Sequence, residues 1–423
     1  MSEFPFWQAP LGKPFNALVS LPGSKSLTNR ELLLSALADS ETLLIAPLRS
    51  RDSQLMIDAL TLLGTNFAWQ GDDLRVTPGP LHGNVSIDCG LAGTVMRFVP
   101  PLALLVNGKV NFDGDEGARR RPMHTTIDSL RALGAEVASD TNGLPFTVSS
   151  SGQVQGGELE IDATSSSQFV SGLLLVAAKF ANGLTLRHTG EDLPSLPHIE
   201  MTLETLRQRG VDAKALDERT WRVEPGAISG GTVVIEPDLS NAGPFLAAAM
   251  VTGGQIRIPL WPAKTTQVGA EFERILPLMG AKVSRSGSDL VVQGTGVLKG
   301  IDVDLSIGGE LAPVIAGLAA LAGGASRITG IAHLRGHETD RLKALTNEIN
   351  GIGGKCKELP DGLEIQPAKL HAGKWHTYED HRMATTGAVI GLAVPGIEVE
   401  NIATTSKTMP EFVKLWTQML ESR

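Results

Sequence analysis

Six short polar stretches stand directly in front of apolar, small-residue segments. They are "GSKSLTNR" (23–30), "CGLAGT" (89–94), "SSSQ" (165–168), "LSNAG" (239–243), "GGEL" (308–311) and "EDHR" (379–382). Each polar tip fits the start of a helix, where Ser, Thr, Asp or Asn satisfies the first unpaired N–H groups. Capping needs one such residue, yet these turns also carry cations. Lys25, Arg30, Arg97, Arg121, Arg341, Arg382 and Lys407 lie in or near them. A cation at a helix N-terminus opposes the macrodipole. A bound anion removes that conflict, because helix N-termini attract anions, Arg grips them with two parallel hydrogen bonds and Lys acts as a point charge.

Each motif taken alone has a plainer reading. "GSKS" lacks the G-x-x-x-x-G-K-[ST] pattern of a nucleotide-binding loop. Arg119, Arg120 and Arg121 in "GARRRP" fit a solvated basic loop. Glu338 and Arg341 in "HETDR" fit a surface ion pair at i,i+3. "SSSQ" fits a capping cluster, and "EDHR" fits a helix start capped by Asp380 with His381 exposed. The recurrence of tips at equivalent points of a repeat favours a shared anion-handling role.

That repeat is set by five glycines. Gly64, Gly134, Gly210, Gly280 and Gly353 each end an amphipathic stretch and precede an alternating strand, at a spacing of about 70 residues. Between them lie the apolar helices opened by the polar tips, and five of the six run into a Gly turn and a β-branched strand. The chain therefore reads as α/β with six β-α-β-α-β units, grouped as two closed domains of three. A solenoid is the competing arrangement, but neither end shows a polar capping repeat.

Composition narrows the function. At 423 residues with 42% hydrophobic and 20% charged residues, the chain has ample core for two domains. Aromatics make up only 4% while glycines number 47, which suits closely packed helices. A net charge of −9 disfavours nucleic acid and anionic membranes as partners. Two cysteines, Cys89 and Cys356, form neither a disulfide framework nor a metal-type spacing. A reduced, cytoplasmic setting is expected. "MSEFPFWQAP" lacks the features of a signal peptide, and the longest uncharged stretches are too broken to span a membrane.

"LPGSKSLTNR", "AGTVMR", "RRRP", "SSSQF", "GHETDR", "DHRMA" and "KTMPEF", in this order from Leu21 to Phe412, closely resemble the 5-enolpyruvylshikimate-3-phosphate synthase family. The resemblance implies a two-domain inverse α/β barrel-like fold with threefold repeats, closing on its substrates. It implies one domain at 20–236, another at 1–19 plus 237–423, and a site in the cleft between them. It further implies transfer of the enolpyruvyl group of phosphoenolpyruvate to the 5-hydroxyl of 3-phosphoshikimate, with phosphate released and no metal or organic cofactor. A monomer inhibited by glyphosate is expected.

Carried onto matching positions, the resemblance assigns 3-phosphoshikimate to Lys25, Ser26, Arg30, Ser166, Ser167, Gln168, Ser195, Glu310 and His337. It assigns phosphoenolpyruvate to Lys25, Gly93, Arg121, Gln168, Arg341, Arg382 and Lys407. Glu310 is the expected base for the hydroxyl proton, and Lys25 and Glu338 are both candidates for the methyl proton. The chain departs from the common pattern at Leu91, His198, His333, His337 and Met409, the last read as packing. Two rivals are a same-fold transferase acting on UDP-N-acetylglucosamine, whose loop cysteine is missing from "GDEGARRRP", and a non-catalytic phospholigand-binding protein.

Overall fold

Parallel strand pairing needs a crossover, and the apolar helices supply it. In one unit the strand Val85–Asp88 runs into the helix Gly93–Ala103 and on to the strand Asn107–Asp113, which pairs in parallel with the first, Val85 opposite Val110. A second helix, His124–Ala132, leads to an antiparallel hairpin of Glu136–Ser139 and Phe146–Ser151. In the five four-stranded sheets the recurring unit is thus β-α-β-α-β-β. The computed structural model describes residues 5–422; residues 1–4 of the expected 1–19 segment, and Arg423, lie outside the described residues. Among the described residues five sheets have four strands and one has three.

The five spacer glycines have φ of 114°, 100°, 82°, 105° and 88° at Gly64, Gly134, Gly210, Gly280 and Gly353. Side-chain-bearing residues seldom adopt these angles, so glycine ends each amphipathic helix and turns the chain into its strand. The crossover helices are apolar all round because they are covered on every side: all eleven residues of Gly93–Ala103 are buried, as are all nine of Ala312–Ala320. Small residues let them approach closely. A Cβ at Gly172 would lie 2.2 Å from the Arg97 carbonyl oxygen.

The chain divides into two compact units, Gly23–Ile235 and Met1–Pro22 with Glu236–Arg423. Each completes a sheet with a strand from a distant part of the chain. In the first, Gly231–Val234 pairs in parallel with Thr42–Ile45. In the second, Asn16–Leu18 pairs in parallel with Gln255–Ile258, and Phe6–Gln8 antiparallel with Ile397–Glu400. Each unit has its own core, with Phe98, Phe112 and Phe169 in one and Phe245, Phe412 and Trp416 in the other. Among the described residues no helix is long and apolar enough to cross a membrane.

Candidate active site

In the Gly23–Ile235 unit the N-terminal turns of three crossover helices meet. Ser24 caps the helix Lys25–Ala36, accepting from the Leu27 N–H. Asn29 Nδ2 donates to Thr94 Oγ1 at 2.6 Å, and Arg30 Nη2 donates to Ser171 Oγ at 3.3 Å. These bonds join the first turns of Gly93–Ala103 and Gln168–Ala177 to the second turn of Lys25–Ala36. Lys25 Nζ lies 3.4 Å from the buried Asp52 carboxylate.

Gly93, Arg121 and Gln168 form the tightest cluster. A Cβ on Gly93 would come within 3.0 and 3.1 Å of the Arg121 guanidinium nitrogens and 3.2 Å of Gln168 Oε1. The "RRRP" run divides: Arg119 forks onto Asp113 and Arg120 pairs with Glu116 at the surface, whereas Arg121 turns inward. Its Nε and the Oε1 of Gln168 are buried with no hydrogen-bond partner among the described residues. Orphaned buried donors and acceptors are costly. With the Arg121 guanidinium nitrogens and Gln168 Oε1 both facing the Gly93 position, the pair suits a ligand that offers an acceptor to one and a donor to the other.

Two of the tip cations serve the interior. Arg97, expected at a tip, sits one turn into its helix, 2% exposed, over the Phe169 ring and donating to the Gly93 and Pro122 carbonyls. Arg30 is 1% exposed and donates to Thr202, the Ser26 carbonyl, Ser171 and the His198 carbonyl. Its place is fixed by the surrounding helices. Ser26 and Ser166 are half-buried and Ser167 is buried. In "SSSQ", Ser166 Oγ accepts from the Gln168 N–H, while Ser167 at the N-cap makes no side-chain capping bond. Ser195 precedes Leu196–Gln208 in the left-handed region, φ 57°, and its carbonyl accepts from the His198 N–H.

In the other unit all six expected residues belong to one network. Arg341, 2% exposed, donates from Nε and Nη2 to the two oxygens of Asp380 at 2.7 and 3.2 Å. Its Nη2 also reaches Glu338 at 3.0 Å, and Lys407 Nζ donates to the other Glu338 oxygen at 2.6 Å. His337 Nδ1 stands 3.4 Å from Arg341 Nη1. Glu310 accepts from Ser240 Oγ and lies 3.9 Å from Arg382 Nη2. Burial works against the charge on Arg341, but Asp380 and Glu338 outweigh it and hold its pKa above the ordinary value. The Glu338–Arg341 pair, which alone fits a solvated helix face, is internal.

Asp380 does two things that the sequence showed only in part. It caps His381–Gly391 through the Arg382 N–H, as its position before a helix signals, and it also anchors Arg341. Asp52 and Ser240 are further members that sequence reasoning missed. Asp52 sits in an unremarkable amphipathic helix and carried no signal; Ser240 lies within a polar tip. His381 is buried rather than exposed. His333 packs against Gly309, beside Glu310, and edge-on to His337 at 5.9 Å. Met409 is a buried core residue. Burial pushes the Cys89 thiol up to about 12 and Cys356 to about 11, which disfavours the reactive thiolate at both.

Six small sheets with buried crossover helices, and cations backed by carboxylates at their N-terminal turns, define the enolpyruvyl transferase fold. The structure superposes on EPSP synthase from Acinetobacter baumannii with a TM-score of 0.80 at 23% identity, covering 98% of both chains. It matches the enolpyruvyl transferase NikO from Streptomyces tendae with a TM-score of 0.79 at 15% identity, over 98% of this chain and 97% of that one. The chain belongs to the EPSP synthase (3-phosphoshikimate 1-carboxyvinyltransferase) family, whose sequence pattern matches residues 11–416. It is 55% identical over 430 aligned residues to the 3-phosphoshikimate 1-carboxyvinyltransferase of Kocuria rhizophila, covering 98% of this chain and 97% of that relative.

Proposed function

We propose that the protein transfers the enolpyruvyl group of phosphoenolpyruvate to the 5-hydroxyl of 3-phosphoshikimate, with release of phosphate. Family membership supports the reaction, and one observation carries the site: the Arg121 guanidinium and the unpartnered Gln168 Oε1 converge on Gly93. A carboxylate or phosphate oxygen of phosphoenolpyruvate satisfies Arg121, and a substrate hydroxyl satisfies Gln168.

The reaction is an addition followed by an elimination. Protonation of the methylene carbon makes C2 electrophilic, the 5-hydroxyl adds, and loss of phosphate from the tetrahedral ketal restores the vinyl group. Glu310, oriented by Ser240, takes the hydroxyl proton. Lys25 and Glu338 handle the methyl proton, each within a pairing that fixes its position. Arg121, Arg341, Arg382 and Lys407 neutralise the leaving phosphate. General acid–base steps of this type contribute roughly 10²- to 10⁴-fold each, and fixed cations stabilise charge as it develops without reorganising.

Ser26, Ser166, Ser167, Ser195 and His337 complete the 3-phosphoshikimate contacts. Arg30 acts on that substrate by holding the Ser26 carbonyl and the first turns in place. The two buried, high-pKa thiols suit a reducing cytoplasm, and the enzyme acts as a monomer, which light scattering checks. Phosphate release measured with both substrates, with each alone, and with UDP-N-acetylglucosamine as acceptor tests the assignment. Release only with the 3-phosphoshikimate pair is expected. Turnover with the nucleotide sugar, or binding without release, would replace it by one of the two rivals.

A further inference from the structure

The segment "HTYEDHR" (376–382) leads from the strand Gly373–Trp375 into the helix His381–Gly391. It contains two consecutive non-glycine residues in the left-handed region, Tyr378 at φ 54° and Glu379 at φ 57°. Such residues are strained and persist only where the surroundings over-determine them. Here the ties come from both sides. Trp375 Nε1 donates across the loop to the Met383 carbonyl at 2.8 Å. Glu348, buried, accepts from the His376 N–H at 2.8 Å with one oxygen and from the Tyr378 hydroxyl at 2.6 Å with the other.

The ties have a geometric consequence. Glu348 and Arg341 lie on one helix, Arg341–Gly351, two turns apart. Asp380 follows the strained pair directly and meets Arg341 with both carboxylate oxygens. The loop is therefore fastened to that helix at two points, one structural and one at the anion-binding arginine. We propose that Glu348 and Tyr378 form a latch whose role is to position Asp380, and through it Arg341 and Arg382, for phosphoenolpyruvate. Both are positioning residues. Burial and the Glu348 carboxylate raise the Tyr378 hydroxyl to about 12, so it remains a donor throughout the working pH range.

The inference rests on the reading of Arg341 and Arg382 as phosphoenolpyruvate ligands. Phosphate release by the unaltered enzyme tests the reaction first. The latch is then tested with Tyr378→Phe, Glu348→Gln and the double variant. Each single change is expected to raise the phosphoenolpyruvate KM about 5- to 20-fold while the 3-phosphoshikimate KM stays within about twofold, and the double variant should lose little more than either single one. A merely structural role lowers stability without separating the two KM values. Equal changes in both KM values, or additive effects, would overturn the latch.

A second measurement needs no variant. Tyr378 is the single tyrosine of the chain, so 3-fluorotyrosine gives one fluorine resonance. Phosphoenolpyruvate added to the complex with 3-phosphoshikimate should shift it. A resonance that stays still while phosphate is released would refute the latch and leave the reaction standing. A shift on binding without any release would uphold the latch and refute the reaction.

Discussion

Replacing Gly93 by alanine isolates the geometry of the Arg121 cluster. Gly93 opens the helix Gly93–Ala103 and its φ lies outside the left-handed region. The backbone therefore accepts a side chain, and alanine is the better helix former by up to ~1 kcal/mol. The new methyl stands 3.0 and 3.1 Å from the Arg121 nitrogens and 3.2 Å from Gln168 Oε1. Heavy atoms prefer roughly 3.5–4.0 Å, so the guanidinium must retreat by several tenths of an ångström. In the proposed assignment Arg121 holds phosphoenolpyruvate through charge-assisted hydrogen bonds worth about 1.5–3 kcal/mol each. Losing the alignment of one raises the phosphoenolpyruvate KM by roughly 10- to 100-fold, since 1.4 kcal/mol is tenfold. Phosphate release at saturating 3-phosphoshikimate should show this rise with a nearly unchanged kcat, an unchanged or higher melting temperature, and still weaker inhibition by glyphosate. An unchanged KM with a lowered melting temperature would show that Gly93 serves packing, and the reasoning about the cluster would fail.

Lys25→Met should reduce kcat by about 10²-fold or more, within the range of one general acid–base group, with the circular dichroism spectrum retained; near-normal turnover would remove Lys25 from the mechanism. Asp380→Asn leaves the buried Arg341 short of its main counter-charge. Breaking a buried pair costs about 3–5 kcal/mol, and Glu338 keeps the loss near the lower end, to be read as a lower urea midpoint at unchanged m. For Cys89 and Cys356, whose raised pKa values leave little thiolate at pH 8, a thiol reagent should titrate no groups in the native protein and two after unfolding.

The α/β class, the near-70-residue period and the polar tips were legible because they rest on local rules. Gly64, Gly134, Gly210, Gly280 and Gly353 announce helix ends, since few other residues tolerate those angles. The second strand of each hairpin was not legible from alternation alone. Alternation in a segment such as "DLRVT" (73–77) looks the same whether one strand or a tight pair follows the glycine, and only Asn142-Gly143 and Asp361-Gly362 mark their turns with a strong hairpin dipeptide.

By itself the sequence determined which residue types stand at the helix starts and, through its ordered motifs, which family the chain belongs to. Only the tertiary structure decided how those residues divide the work. Arg30, Arg97 and Arg121 are alike on paper, yet Arg30 and Arg97 are buried among the packed helices while the Arg121 guanidinium faces the Gly93 position beside Gln168. Asp52, Ser240, Glu348 and Tyr378 gain their roles from partners 27, 70 and 30 positions away. A local pattern encodes what a turn or cap requires of its own neighbours. Which charge faces which depends on how the helices pack, and that is fixed only when distant segments meet.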